Sequence, residues 1–340
     1  MSRKLRSLLK KLPKKISFNL IKKIKPQEPS SKRWFFFFYN FKMKQNARAR
    51  AAGGFKVMDD IAKNKHADVY YRNAIEAETE KMLSALFASL EDVYTTVRVK
   101  NAAPQGKKPR VRNVEKLIAW YKGEYLGRFL RNAEKIVQKF VRLVRRGARA
   151  SLSRVMREMY GDSFTLNFDS KEVEETIRLI IRRNVGLIQN TTLQTLNNVE
   201  NIVYDGMTTG QRWETIAKDL KTQTHIAKDR IKRIARDQTA KANAAFNEQA
   251  QAAAGVKFFM WSTAHDERVS TGKGGHKQLD GKIYKWGDSE HYPVIDAYGH
   301  RGLPAERPNC RCIARSILVA PDYEAKRLSD GSYEIIKGRI

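Results

Sequence analysis

Four of the six histidines, His265, His276, His291 and His300, fall in one stretch near the C-terminus, and both cysteines follow at once in Asn309-Cys310-Arg311-Cys312. Histidine and cysteine are uncommon, so this co-location is a chemical signal. Two thiolates and two imidazoles make a tetrahedral zinc site. The spacing is not that of a standard finger, because Cys-x-Cys lacks the Cys-x2-Cys turn. Residues two apart on a strand share a face. Cys310 and Cys312 can therefore ligate together, and equally can be buried together as reduced thiols beside hydrogen-bonded histidines. The metal candidates are Cys310, Cys312 and His276. No cofactor is certain; the one candidate is a structural zinc ion, a clip that a small loop-rich unit uses in place of a large core. A bond between the two thiols would be strained, so there is no disulfide framework, and the chain suits a reducing compartment such as a bacterial cytoplasm.

A second constellation, His265-Asp266-Glu267, sets an imidazole beside two carboxylates, which could bind a metal or move protons. Joined by His276 and the cysteines it would imitate a metal-dependent nuclease or another DNA-acting enzyme. Neighbours in a chain need not converge in space, however, and the expectation is no enzyme and no catalytic residue. Thr271-Gly272-Lys273-Gly274-Gly275 lacks the Walker spacing and a following apolar helix. No Gly-x-Ser-x-Gly elbow occurs. A nucleotide-driven motor is unsupported.

The elements that must position these residues change character along the chain. Residues 1–55 are expected to form a basic arm, amphipathic or partly disordered, with a break at Pro13. The run Trp34–Tyr39 is too short to span a bilayer and is expected to dock on another surface. Residues 56–160 and 161–255 read as two helical regions. In the first, helices are expected over 58–100 and 114–159, separated by a basic Pro/Gly loop at 102–113. In the second, a helix starts at Lys171, a shorter one occupies about 212–220, and another runs from about Ala227 to Ala254. At Val256 the pattern turns to strands, expected at 256–261, 282–286 and 312–319. Residues 256–320 then form a C-terminal α+β module, and 321–340 a partly ordered tail. The fold class is mainly α with a small C-terminal α+β domain, a short antiparallel sheet packed on the helix that carries Ile231, Ile234, Ala242 and Phe246. Trp261 is expected inside that core. No apolar run is long enough for a transmembrane helix, and no secretory signal is evident.

The charge identifies partners. Lys and Arg number 66 against 36 Asp and Glu, a net charge of +30. An excess this large draws polyanions to the surface. Residues 1–50 carry about half of it, and a second basic stretch runs from Lys107 to Arg149. The DNA-binding candidates are Lys10, Lys11, Lys14, Lys15, Lys107, Lys108, Arg110, Arg112, Arg145 and Arg146. The N-terminal arm is also a candidate for transient membrane contact.

Five ordered blocks carry a resemblance. They are Ile234-Ala235-Arg236-Asp237-Gln238, Trp261-Ser262-Thr263, Asp266-Glu267-Arg268, His276-Lys277-Gln278-Leu279-Asp280-Gly281 and Pro308-Asn309-Cys310-Arg311-Cys312. Together they resemble the phage Mu protein F-like family of minor head proteins, over about residues 175–318. Asp237-Gln238 stand where that family usually has Thr-Glu, and the glycine-rich 271–275 segment lengthens the turn before His276. The resemblance implies a structural-motif role for Trp261, Asp266, Arg268, His276, Gly281, Asn309 and Arg311, with Asp266 and Arg268 as an ion pair closing a turn. It also implies a virion location in the head interior, with host cytoplasm during assembly. The implied partners are the phage portal protein, a scaffold or major capsid protein, and packaged double-stranded DNA.

Overall fold

The computed structural model describes residues 54–58, 64–99, 111–160, 170–320 and 322–338. Lys10, Lys11, Lys14, Lys15, the Trp34–Tyr39 run, Lys107, Lys108, Arg110 and the expected break at 161–163 lie outside the described residues.

Long helices make the body. α1 (Lys65–Val99) begins where the Asn64 side chain accepts the Ala67 amide at 2.9 Å, a standard helix start. The Asn64 amide group donates to the Leu143 carbonyl at 2.7 Å, which ties that start to a neighbouring helix. α1 buries Tyr71, Ile75, Met82, Leu83, Leu86 and Leu90, spaced at three and four along one stripe. α2 (Val111–Trp120) runs through a π turn, Tyr121–Tyr125, into α3 (Leu126–Tyr160). Tyr121 and Tyr125 stack across that turn with ring centroids 4.9 Å apart. α4 (Lys171–Thr208) starts at Ser170, whose hydroxyl accepts the Val173 amide at 3.4 Å. Its buried Thr191 and Thr195 satisfy their hydroxyls on the carbonyls one turn back, at 2.8 and 2.9 Å. Tyr71 joins three helices: its hydroxyl donates to Asn184 of α4 at 2.9 Å, and its ring stacks on Phe140 of α3 at 4.4 Å.

α5 (Trp213–Ala253) replaces the two helices expected over 212–220 and 227–254. The segment 221–226 holds neither Gly nor Pro, so nothing breaks the ladder. At ~1.5 Å per residue the helix is ~60 Å long, enough to serve two layers. Ile231 and Ile234 line a small cavity with Tyr71 and Ile75 of α1 and Ile188 of α4. They therefore belong to the helical body, while the sheet packs further along the same helix. Residues further along α5 meet the sheet: Gln251, fully buried, accepts the Trp286 indole N–H at 3.0 Å and donates to the Ala314 carbonyl at 3.4 Å.

The sheet has six strands, β1 (Phe55–Val57), β2 (Phe258–Ser262), β3 (Ile283–Lys285), β4 (Ile313–Val319), β5 (Tyr323–Arg327) and β6 (Tyr333–Lys337), in the order β1-β4-β2-β3-β6-β5. All neighbours are antiparallel. Two parts of it correct the sequence reading. Phe55–Val57 pair with Ile317–Val319, so a piece of chain from before the helices closes one edge. Residues 323–337 form a hairpin around Asp330-Gly331 where a partly ordered tail was expected, and Ile283 pairs with Tyr333 to join it to the sheet. β2 alternates as a half-buried strand must: Phe259 and Trp261 are fully buried, while Phe258 and Met260 face the partly exposed side. Trp261, Phe259, Leu279, Tyr284, Tyr292, Ile295, Cys310 and Cys312 form one core, with Trp286 and Leu303 packed against it. None of the helices is long and apolar enough to cross a membrane, among the described residues.

Candidate functional site

The stretches that carry His276 and the cysteines are loops, and short-range bonds shape them. The turn before His276 needs its glycines. Gly274 has φ +69°, and a side chain there would collide with the Asp296 backbone. Gly275 donates to the Gly272 carbonyl at 3.0 Å, and the Ser270 hydroxyl accepts the His276 amide at 3.0 Å. A 3-10 turn, His276–Leu279, follows and delivers Asp280 and Gly281 to the end of β2. There Asp280 accepts the Thr263 amide at 2.7 Å and hydroxyl at 3.0 Å. Gly281, at φ +76°, donates to the Trp261 carbonyl at 2.8 Å. The Leu-Asp-Gly block therefore stops β2 and fixes Trp261.

His276 and both cysteines come together in the core. The His276 Nδ1 lies 3.4 Å from Cys310 Sγ and 3.5 Å from Cys312 Sγ, and all three residues are buried. The His276 Nε2 faces the Ile295 carbonyl at 3.1 Å, and the ring meets Trp261 edge-on at 5.3 Å. Hydrogen bonding to Cys310 raises the His276 pKa. The Cys312 side chain, and then His276, draw the Cys310 thiol well below its usual range. The other three histidines do not join them. His265 is mostly exposed and pairs with Asp280 at 3.5 Å, His291 with Asp288 at 2.6 Å, and His300 with Asp296 at 2.7 Å. The group that meets is therefore two thiols with one imidazole, the three metal candidates Cys310, Cys312 and His276.

Asp266 is engaged elsewhere. It forms a two-pronged pair with Arg311, whose Nη2 sits 2.5 Å from Asp266 Oδ1, and that hydrogen bonding holds the carboxyl at about 2. Arg268 donates its amide to the same carboxylate at 3.1 Å and places its guanidinium at 3.4 Å. The Asp266–Arg268 turn is present, but the Arg268 side chain is 70% exposed, so the pair is not buried and the Arg311 contact dominates. His265, Asp266 and the cysteines do not surround one point. Among the described residues, the donors close enough to share an ion are His276, Cys310 and Cys312.

Two carboxylates with no place among the sequence candidates prove to organise the region. Asp237 of α5 accepts the Asn309 amide at 2.8 Å and pairs with Lys241 at 2.6 Å. Asn309 itself has φ +59°, a conformation Asn tolerates better than most residues. Asp237 therefore seats the turn that presents Cys310. Asp296, nearly buried, accepts the Tyr298 amide at 2.9 Å, the His300 amide at 3.1 Å, the His300 ring at 2.7 Å and Arg307 at 2.7 Å. The only sequence signal for Asp237 is its place in the first motif block, and Asp296 has none. Replacing Asp237 with Ala is expected to cost roughly 1.5–3 kcal/mol, the range for a hydrogen bond to a charged acceptor. Urea denaturation of the two proteins measures it, and an unchanged midpoint would mean Asn309 is held by other means.

The basic candidates within the described residues do not cluster. Arg112 lies exposed on α2 and Arg146 exposed on α3, whereas Arg145 is half-buried and paired with Glu174 at 3.2 Å.

The model of the phage Mu protein F like family matches residues 197–315. An uncharacterized protein of Haemophilus influenzae (strain ATCC 51907 / DSM 11121 / KW20 / Rd) is 30% identical over 150 residues, which is 44% of this chain and 31% of the relative. The match thus spans about a third of that relative's length. No solved structure matches. The matched segment runs from α4 through β2 and the clustered His276, Cys310 and Cys312 into β4, and over it this chain is similar to the phage Mu protein F like family.

Proposed function

We propose that this chain is a minor head-morphogenesis protein of a tailed phage, placed inside the head near the portal and the packaged DNA, and that its C-terminal module is architectural and not catalytic. The observation that carries the architectural part is how the motif side chains are used. Asp266 is spent on Arg311, Asp280 on the end of β2, Asp237 on the Asn309 turn and Trp261 on the core. A general acid or base needs a free, substrate-facing group, and these carboxylates are committed to neighbours. The family match supports the head-protein part. Tandem mass spectrometry of gradient-purified particles, from the phage that encodes the chain, tests it. The chain is expected in heads at a small fraction of the major capsid protein's abundance. Its absence from both empty and DNA-filled heads would overturn the reading.

The DNA-facing part has its own support. α3 carries ten Lys or Arg against two acids. Arg128, Arg131, Lys135, Lys139, Arg142, Arg146 and Arg149 are exposed and recur every three or four residues. That spacing lines them along one helix face for ~30 Å. A row of cations of this length suits a phosphate backbone, the portal or another acidic surface. If about six phosphates are neutralised, duplex binding falls on the order of 10³-fold between 50 and 200 mM salt. Fluorescence anisotropy with a labelled duplex reads this directly. Combining Lys135→Glu, Lys139→Glu and Arg142→Glu is expected to remove most of the binding. A flat salt dependence points instead to a protein-docking module that does not contact DNA.

A further inference from the structure

We propose that His276 Nδ1, Cys310 Sγ and Cys312 Sγ bind one thiophilic divalent cation, zinc by its chemistry, which clips the 270–276 turn to the start of β4. The argument is geometric. Tetrahedral zinc with Zn–S of ~2.3 Å and Zn–N of ~2.0–2.1 Å sets sulfur and nitrogen ~3.6 Å apart. Here the nitrogen lies 3.4 and 3.5 Å from the two sulfurs, and the three donor atoms all fall within 4.8 Å of one another. The two nitrogen–sulfur edges of the tetrahedron are thus already laid out, and the sulfur–sulfur edge falls within 4.8 Å.

The histidine is prepared in the way metal ligands are. Its Nε2 has the Ile295 carbonyl at 3.1 Å. A carbonyl only accepts, so the neutral ring carries its proton on Nε2, which leaves Nδ1, facing the sulfurs, as the ligand atom. The Ser270 hydroxyl fixes the His276 backbone amide, and the Trp261 ring packs edge-on against the imidazole. Position in the fold matters as well. The three ligands lie at the edge of the module's core and line a cavity of about 380 Å³ with Gly274, Gly275 and Asp296. No carboxylate joins the group among the described residues, so the fourth position is left to a ligand from solution such as water. Two thiolates and one imidazole select zinc over magnesium or calcium, which take oxygen ligands. The ion ties together residues 34 apart in a region built from loops, where a clip restrains the unfolded chain most usefully.

The full chain, untagged and purified under reducing conditions with zinc present, is the sample. Elemental analysis after exhaustive desalting is expected to find about one zinc per chain. Cobalt(II) added to the zinc-free protein is expected to give thiolate charge-transfer absorption and the intense visible bands of a tetrahedral ion. Zinc should also protect both cysteines from alkylation and raise the melting temperature. Cys310→Ser and Cys312→Ser should each lose most of the metal while keeping the helical circular dichroism of the parent. The cobalt titration needs no variant, so misfolding of a serine protein leaves the proposal testable. A reduced, folded parent chain that retains no zinc and gives no cobalt–thiolate absorption would overturn it, and the trio would then be a buried, hydrogen-bonded thiol cluster.

Discussion

Replacing Trp261 with alanine is expected to destabilise the folded chain by ~3–5 kcal/mol, the cost of emptying a large aromatic site in a packed core. Trp261 is fully buried, and it touches the module from several sides at once. Its ring meets His276 edge-on at 5.3 Å and Tyr284 at 6.4 Å. Its amide donates to the Lys282 carbonyl, and its carbonyl accepts the Gly281 amide, both at 2.8 Å. The surrounding walls come from β2, β3, the 276–281 turn and the cysteine loop, which cannot all close on a vacancy together. A second variant separates packing from polarity. The indole N–H finds no acceptor among the described residues, and an unpaired buried donor is itself costly. Trp261→Phe deletes that donor while filling most of the space, so it should cost only about 1 kcal/mol. Chemical denaturation of the three proteins gives both numbers. An alanine variant as stable as the parent would place Trp261 outside the core.

The second large effect is expected in the helical body. Phe140 of α3 is fully buried and stacked on Tyr71, whose hydroxyl is held by Asn184. Phe140→Ala should cost ~3–5 kcal/mol as well, since it removes one ring and leaves a second without its stacking partner. The two substitutions lie in different layers but share α5, which lines the Tyr71 cavity with Ile231 and meets the sheet through Gln251. A rigid helix common to both layers couples their unfolding. Calorimetry should therefore show one transition in the parent, lowered as a whole by either change. Two separable transitions, each sensitive to only one variant, would mean that α5 does not transmit the coupling.

Much of this fold is legible in the sequence, and the failures have physical causes. The apolar spacing of α1, α3 and α4 and the strand character of 258–262 and 313–319 are local signals, and the chain follows them. The sequence over α5 suggests two helices because Lys221-Thr222-Gln223-Thr224-His225 is polar and weak in propensity. Packing at Leu220 and Ala227 on either side carries the helix through. β1 has only three residues, and its partner Ile317–Val319 lies more than 250 residues away, so no local pattern could reveal it. The 323–337 hairpin carries a partial signal, the Asp330-Gly331 turn ahead of the β-favouring Tyr333-Glu334-Ile335-Ile336.

The candidate site divides the same way. Trp261, His276 and both cysteines declare themselves by type and spacing, and they do meet. The Asp266–Arg268 turn is legible because the two are near in sequence, whereas Arg311, which is near only in space, leaves no such signal. Asp237 and Asp296 act through backbone amides and ring nitrogens brought in by loops. Such roles depend on the folded path of the chain and leave no spacing pattern behind.

The claim that the motif residues build architecture and do not turn over substrate is tested most directly by a paired measurement on Asp266→Ala. Plasmid DNA is incubated with the full chain and with the variant in Mg²⁺, Mn²⁺ or Zn²⁺, and the melting of both proteins is recorded. The expected result is no cleavage above the metal-only blank for either protein, with a lower melting temperature for the variant, which loses the Arg311 pair. Metal-dependent cleavage by the parent, abolished in a variant that melts unchanged, would contradict it.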